Sequence, residues 1–347
     1  MTSESSRGAE VTARPGNKLL PALGILLVTG GFLLLAWFAY LWFNPKPPPY
    51  QYQLITEGSV DQFADMRLNA WPDLNIRKYE VRVPEVDNPI AVAHTANRGT
   101  GAPVLLTWEG RISEPVLALD GKLSELTTLA GAIAKHAPKD ALILSWWDTS
   151  RQLKLLIGSD TLFSNRIGEP LIIPPQWNER RDAILKYEDK FWGAPAAADE
   201  RQKFQRFADA LVAAPDAGAK ILRELAGPRE AYLVVHVTDL YKLGLMRPTH
   251  FDMAYKVFPM GGNMHGLIGY LKSWMQDNKY ETYALQSISD SEVRAYFLRD
   301  AKSSNTLLAQ TLPFTNTQPL DIAALELVYQ HGGYWLYRVP MAAVATN

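Results

Sequence analysis

The sequence of 347 residues contains no cysteine, and this absence excludes several kinds of site. A chain without thiols forms no disulfide, no thiolate zinc site and no iron–sulfur cluster. It also cannot carry a covalent haem through a Cys-x-x-Cys-His motif or use a catalytic thiol. We therefore predict no cofactor of these kinds and assign no cofactor-binding residue.

The chain also lacks an excess of either charge. Its 35 Lys and Arg side chains balance 36 Asp and Glu side chains, which gives a net charge of -1 at pH 7. This balance argues against a nucleic-acid-binding surface. Charged residues make up 20% and aromatic residues 11% of the chain, a composition typical of a folded protein with a hydrophobic core.

Several familiar functional motifs are missing as well. The sequence contains no Gly-x-Gly-x-x-Gly, no phosphate-binding Gly-x-x-x-x-Gly-Lys, no His-Glu-x-x-His and no Gly-x-Ser-x-Gly. No two histidines are four residues apart, the spacing that places two imidazoles on one face of a helix. We therefore assign no catalytic residue and no metal ligand on the basis of a motif.

One segment rich in methionine and histidine, residues 246–265, leaves metal binding open. Its members are Met246, His250, Met253, Met260, Met264 and His265. Thioether and imidazole groups together suit copper, particularly Cu(I). The alternative is that the methionines fill a hydrophobic core and that His265 begins a helix.

The longest hydrophobic run covers residues 19–43 and contains no charged residue. A bilayer core about 30 Å thick needs about 20 helical residues, so this run is predicted to span a membrane once. Trp37, Tyr40 and Trp42 lie towards its C-terminal end, where an aromatic belt would meet the membrane interface. The alternative, a cleaved signal peptide, is disfavoured because its apolar region has only about 7–15 residues.

The flanking charges predict how this span is oriented. Arg7, Arg14 and Lys18 precede it, whereas only Lys46 follows closely. The positive-inside rule places residues 1–18 in the cytoplasm and the bulk of the chain in the periplasm of a bacterium. The expected location is therefore the bacterial inner membrane, with a single pass.

The region after the span divides into a linker and a larger domain. Residues 44–50 are rich in proline and predict a short polyproline II stalk. Residues 51–347 alternate between strand patterns and helix patterns. The predicted strands are 104–108, 141–145, 232–237, 281–287, 293–298, 325–330 and 334–339, and helices are predicted around 123–133, 149–156, 198–213, 221–222 and 267–274. This alternation indicates a periplasmic α/β domain with a mixed sheet and a C-terminal β-hairpin.

The most unusual local sequence, Ser-Trp-Trp-Asp-Thr-Ser-Arg, follows the predicted strand 141–145 directly. Sheets of α/β proteins place binding sites at the carboxyl ends of their strands, and Trp and Arg are enriched at interaction hot spots. The candidate partner-binding residues are Trp146, Trp147, Asp148 and Arg151. The alternative is a buried aromatic pair with Asp148 as the cap of a helix over residues 149–156. In the same way, His236 is expected to be a hydrogen-bonded core residue.

This motif resembles the Ser-Trp-Trp-Asp-Tyr-Gly motif in the C-terminal domain of oligosaccharyltransferase catalytic subunits, where it helps to hold the acceptor peptide. The similarity continues loosely through residues 232–240, 305–308, 325–329 and 336–339. Here Thr149-Ser150 replaces Tyr-Gly, and the membrane spans whose loops carry that family's catalytic acids are missing. The resemblance implies a related fold and does not support glycosyl transfer.

A second resemblance covers most of the chain. The short tail, single span and stalk, with the runs 144–152 and 191–193, resemble the hydroxylamine oxidation protein HaoB family. That family is encoded beside the multihaem hydroxylamine dehydrogenase in ammonia-oxidising and methane-oxidising bacteria. The resemblance implies a non-enzymatic accessory protein of nitrification that docks or assembles this enzyme at the membrane. The alternative is a periplasmic peptide-binding, glycan-binding or enzymatic domain with its site at residues 146–151.

Overall fold

The computed structural model describes residues 19–43, 47–259, 264–289 and 291–341, and the chain divides into two compact units, Met1–Pro47 and Pro48–Asn347. The predicted tail, residues 1–18, lies outside the described residues, as do residues 44–46 of the predicted stalk.

The described part of the first unit is helix α1, Leu19–Phe43. Its segment Ala22–Tyr40 has a mean hydropathy of 2.2 and is long and apolar enough to cross a membrane. The side chains of this segment are exposed, so no protein core accounts for their apolar character. A single N-terminal helix of this kind fits a single-pass membrane anchor.

The second unit contains strands and helices in alternation, which confirms the predicted α/β class. Its strands are β1 (Gln51–Ser59), β2 (Leu74–Arg82), β3 (Ala91–Arg98), β4 (Val104–Gly110), β5 (Leu142–Leu144), β6 (Asp160–Thr161), β7 (Ala231–His236), β8 (Met253–Pro259), β9 (Thr282–Ser287), β10 (Glu292–Leu298), β11 (Glu326–His331) and β12 (Tyr334–Val339). Its helices are α2 (Leu123–His136), α3 (Trp147–Ile157), α4 (Arg181–Trp192), α5 (Ala198–Val212), α6 (Pro215–Ala226), α7 (Asp239–Met246), α8 (Met264–Asp277), α9 (Ala301–Ser304) and α10 (Leu307–Gln310). Two 3-10 helical segments are Val60–Met66 and Pro175–Arg180.

The central sheet is mixed and has the strand order β11-β12-β7-β5-β6. Strands β5, β6 and β7 are parallel, whereas β12 pairs antiparallel with both β7 and β11. The predicted C-terminal hairpin is therefore present, and Gly332 at its turn has a φ of 55°, which favours glycine. Mixed pairing of this kind confirms the predicted sheet type.

Strand β7 shows how the central sheet is covered on both faces. Leu233 and Val235 pack with side chains of α5, α6, α7 and α10, whereas Tyr232 and Val234 pack with side chains of α2 and α3. Successive side chains of a strand point to opposite faces, so a strand covered on both sides needs a continuous apolar run. That is the run from which the strand was predicted.

Two further sheets are antiparallel; the strands of one precede the central sheet in the chain, and those of the other lie between β7 and β11. The N-terminal sheet has the order β1-β2-β3-β4, and the smaller sheet has the order β8-β10-β9. Helix α4 packs against the N-terminal sheet through Ile184 and Tyr187, which join a cluster with Tyr50 and Trp108. This packing places the C-terminal end of α4 beside the cavity described below.

Candidate binding site at the end of strand β5

The segment Ser145–Arg151 follows the carboxyl end of strand β5, as predicted. Helix α3 begins at Trp147, earlier than the predicted start at Thr149, because the carbonyl of Trp146 already accepts a helical hydrogen bond. Asp148 therefore lies inside the first turn, where the helix dipole favours a carboxylate. The alternative in which Asp148 caps this helix is wrong, because the helix has no side-chain cap. Asp148 Oδ1 accepts from the backbone N–H of Thr149 at 2.7 Å and from its hydroxyl at 3.5 Å, and Thr149 lies within the helix.

The two adjacent tryptophans occupy different environments. Trp146 is 1% exposed and packs edge-on against Phe204 and Phe207, with ring centroids 5.2 and 6.4 Å away. Its indole N–H has no hydrogen-bond partner among the described residues. Trp147 is half-buried, and its indole N–H donates to the backbone carbonyl of Glu169 at 2.6 Å. Trp146 is thus a core residue, whereas Trp147 retains partial exposure.

Asp148, itself partly exposed, belongs to an ionic cluster with the buried Lys242 and Asp239 that the sequence pattern did not reveal. Lys242 of helix α7 donates to Asp148 Oδ2 at 2.7 Å and to Asp239 Oδ1 at 3.1 Å. The other oxygen of Asp239 accepts the backbone N–H of His236 at 2.9 Å. The cluster therefore ties helix α3 to the start of helix α7 and to the end of strand β7.

Burial and neighbouring charges together determine the protonation of this cluster. Burial alone would lower the pKa of Lys242, but the charges of Asp148 and Asp239 outweigh it and raise that pKa. Burial raises the pKa of Asp239, while the ammonium of Lys242 opposes that rise. Burial, and then the charge of Lys242, lower the pKa of His236 to about 3, so its imidazole is neutral at pH 7. Its Nδ1 lies 2.7 Å from the hydroxyl of Thr238, which confirms the prediction of a hydrogen-bonded core histidine.

The candidate residues surround a small cavity, here called the inner cavity. Its volume is about 80 Å³. The residues of its wall that bear on the site are Trp146, Trp147, Asp148, Arg151, Arg166 and Lys242. A second cavity of about 60 Å³ shares Asp148 and Lys242 and is also lined by His236. Asp148 and Lys242 therefore line two small spaces, each with room for no more than a few waters or a small ion.

Arg151 contributes a positive charge to the wall of the inner cavity. It is 8% exposed, and its Nη2 donates to the carbonyl of Pro103 at 2.9 Å. Burial lowers the pKa of Arg151 to about 10; the charge of Arg166 adds to this effect and that of Asp148 opposes it. The guanidinium is therefore still protonated at neutral pH, although it is not an exposed side chain.

A second buried carboxylate, Glu188 of helix α4, was also missed from the sequence. The hydroxyl groups of Tyr50 and Tyr52 donate to its Oε1, the latter at 2.9 Å, and the indole of Trp192 donates to its Oε2 at 2.8 Å. Burial raises the pKa of Glu188, although these hydrogen bonds oppose the rise. The alternation of Tyr50 and Tyr52 along the start of β1 was the available signal, but nothing local links it to Glu188.

The methionine- and histidine-rich segment 246–265 is only partly described. Its first three members lie in helix α7, the following loop and strand β8, whereas Met260 and the side chains of Met264 and His265 lie outside the described residues. Among the residues that are described, no group of three or more His, Asp or Glu is placed to hold a metal ion. Copper binding by this segment therefore stays an open alternative.

Comparisons with known proteins identify one family. A family model described as "HaoA-associated protein HaoB" matches residues 16–339, which is most of the chain. The crystal structure of the C. jejuni PglB C-terminal domain resembles it weakly, with a TM-score of 0.36 and 11% sequence identity over 62% of this chain and 99% of that chain. No curated protein is significantly similar to this chain. The family match confirms the resemblance stated from the sequence.

Proposed function

The chain belongs to the HaoA-associated protein HaoB family, and from this membership we propose that it docks or assembles the multihaem hydroxylamine dehydrogenase at the bacterial inner membrane. The family description associates its members with HaoA, so an accessory role in hydroxylamine oxidation is the coarser conclusion that the match supports. The match from residue 16 to residue 339 is the observation that carries the proposal, because it includes both the apolar helix and the large unit.

The proposal includes membrane anchoring through helix α1. The exposed apolar surface of Ala22–Tyr40 supports a lipid environment, since exposed leucine and phenylalanine side chains are unfavourable in water. Arg7, Arg14 and Lys18 favour a cytoplasmic N-terminus. Protease added to spheroplasts is expected to digest the large unit, whereas protection of that unit would reverse the orientation.

We further propose that the start of helix α3, which follows the end of β5, contacts the partner. Of the four candidate residues, Trp147 and Asp148 are partly exposed, whereas Trp146 and Arg151 are buried. In this arrangement Trp147 supplies the contact, and the buried Trp146 and Arg151 hold the start of helix α3 in place. A half-buried indole adds a large contact area at a low entropic cost, which is the character of an interface hot spot.

The decisive experiment captures the full-length protein from native membranes in mild detergent and measures the bound hydroxylamine dehydrogenase by its haem absorbance. Wild-type protein is expected to retain the enzyme, and Trp147→Ala to weaken the complex by about 2 kcal/mol or more. Trp274→Ala is a matched control, because Trp274 is also half-buried but lies in helix α8.

The outcomes of the capture experiment are read beside thermal melting of the same proteins. Failure of the wild-type protein to retain the enzyme would contradict the docking proposal. Equal retention by Trp147→Ala and wild type would show that the start of helix α3 does not contact the enzyme. Loss of retention in both tryptophan variants, with a lowered melting temperature, would show a general loss of fold rather than a lost contact.

A second candidate function is binding of a small ligand, or catalysis, at residues 146–151. The inner cavity favours it, because Asp148, Arg151 and Lys242 bring charges of both signs to a largely apolar enclosure. Equilibrium binding of candidate ligands to the full-length protein tests this function separately from capture of the enzyme.

A further inference from the structure

A cleft on the surface continues the space beside Arg151 and is here called the outer cleft. Its volume is about 350 Å³, and it lies where the end of β3, one side of α3 and the end of α4 meet. The cations in its wall are Arg98, Arg151, Lys154 and Arg166. Within the described part of the chain, no aspartate or glutamate lines it.

The cations of the outer cleft differ in how their charge is compensated. Arg98 pairs with Asp73 and Arg166 pairs with Asp189, but neither carboxylate belongs to the wall of the cleft. Arg151 has no ion-pair partner among the described residues, and its hydrogen bond to the Pro103 carbonyl is to a neutral group. Burial of a charged group is costly unless an opposite charge accompanies it. Arg151 is therefore a buried cation without a direct ion pair among the described residues, and the charge of Asp148 compensates it only in part.

Arg151 and Arg166 belong to the walls of both the inner cavity and the outer cleft. Their charges are close enough for Arg166 to lower the pKa of Arg151. Gly168, with a φ of 77°, lies beside Arg166, and a Cβ at that position would come within 3.1 Å of Arg166 Nη2. The absence of a side chain at residue 168 thus leaves room for the guanidinium. A bound anion between the two arginines offsets the repulsion between their like charges.

We propose that Arg151 and Arg166 form a binding site for a small oxygen-bearing anion, either a carboxylate or an inorganic oxyanion, which enters through the outer cleft. The planar fork of a guanidinium matches the two oxygens of such anions, so each arginine can donate two parallel hydrogen bonds. The bound anion supplies the direct ion-pair partner that Arg151 lacks among the described residues. This inference does not depend on docking to hydroxylamine dehydrogenase, and it gives the ligand class for the second candidate function.

The test measures anion binding by the full-length protein in detergent. Sodium phosphate and sodium acetate are titrated against sodium chloride at equal ionic strength, and binding is followed by calorimetry and by the melting temperature. Phosphate stabilises many proteins by exclusion from their surface, so the quantity of interest is the difference between variants. A ligand that binds only the folded state raises the melting temperature in a saturable way.

The variants are Arg151→Gln and Arg166→Gln, with Arg206→Gln as the control, since Arg206 is an exposed arginine that does not line the cleft. Wild type and the control are expected to show the same saturable response. Each cleft variant is expected to bind about tenfold more weakly or worse, as a lost charged hydrogen-bonding partner implies. Far-UV circular dichroism establishes whether each variant is folded. If Arg151→Gln does not fold, the anion binding of Arg166→Gln tests the proposal.

The two anions distinguish the possible sources of the ligand. Tighter binding of phosphate supports a free inorganic oxyanion. Equal or tighter binding of acetate supports a carboxylate, as a metabolite or an acidic side chain would present it. The proposal is overturned if wild type shows no saturable response to either anion, or if the cleft variants respond as wild type does. Because capture of hydroxylamine dehydrogenase is a separate measurement, failure here leaves the docking proposal standing.

Discussion

Two buried carboxylate sites in this protein balance the cost of burial in different ways. At the end of β5, Asp148 and Asp239 are held by the ammonium of Lys242. Beside helix α4, Glu188 has no lysine or arginine within ion-pair distance among the described residues and instead accepts hydrogen bonds from Tyr50, Tyr52 and Trp192. The first site is stabilised by an ammonium in direct contact, and the second mainly by neutral donors, with a smaller effect from the charge of Arg166. The comparison teaches that equal burial of an acid does not imply equal dependence on charge.

The largest expected effect is the removal of the cation from the first site. Lys242→Met leaves Asp148 and the fully buried Asp239 without their counter-charge, so the free energy of unfolding is expected to fall by about 3–5 kcal/mol. Urea unfolding followed by tryptophan fluorescence measures this change. Lys154→Met on the exposed side of α3 is the control, with an expected change within about 0.5 kcal/mol. Similar losses in the two variants would show that the ionic cluster adds nothing specific.

Acidification is expected to lower the free energy of unfolding through His236, whose backbone N–H binds Asp239 of the first site. Its folded pKa of about 3 lies below the ordinary value of 6.5, so stability is fully present above pH 6.5 and is lost as the pH falls towards 3. At pH 4 the loss from this one histidine is about 3 kcal/mol. The measurement is urea unfolding at pH 7 and pH 4 for wild type and His236→Gln. The variant is expected to lose less stability between these values, and an identical loss would contradict the assignment.

The contribution of Glu188 to stability is expected to change with pH in the opposite sense, and by less. Burial raises the pKa of Glu188, so its contribution to stability is greatest below the ordinary value of 4.5 and declines as the pH rises through the folded pKa. Glu188→Gln retains an acceptor oxygen but cannot ionise. Its destabilising effect relative to wild type should therefore be larger at pH 4 than at pH 7. A pH-independent difference, measured by thermal melting, would show that Glu188 titrates normally in the folded protein.

The sequence predicted the elements whose residues are apolar on more than one side. Helix α1 and strands β5 and β7 were found because each is a continuous apolar run. Strands β1 and β2 were missed because charged and polar residues interrupt them and because β1 is an exposed edge strand. Strand β3 is mostly buried, but its histidine, threonine and asparagine interrupt the apolar run. Periodicity reports burial, and a strand with one wet face and a long polar sequence gives too weak a signal.

The candidate site was predicted in position but not in chemistry. Residues 146–151 do follow a buried strand, yet their most important partner, Lys242, lies 94 positions from Asp148. Asp239 and Lys242, three residues apart in an otherwise apolar helix, were the local sign of a buried ion pair. Only the fold shows that a third charge from α3 completes the cluster, because no local pattern records contacts between distant elements.

The position of Tyr50 has a mechanical consequence. The residue directly follows Pro48-Pro49, is 0% exposed, and is held by its bond to Glu188 and by stacking on Trp177 with ring centroids 5.5 Å apart. A pull transmitted along the chain from its N-terminal side reaches Tyr50 directly after Pro48 and the buried Pro49. The force is then shared between helix α4 and the backbone hydrogen bonds that join β1 to β2, and it does not act on the end of one strand alone. A tether attached at this point can bear tension before the sheet begins to open.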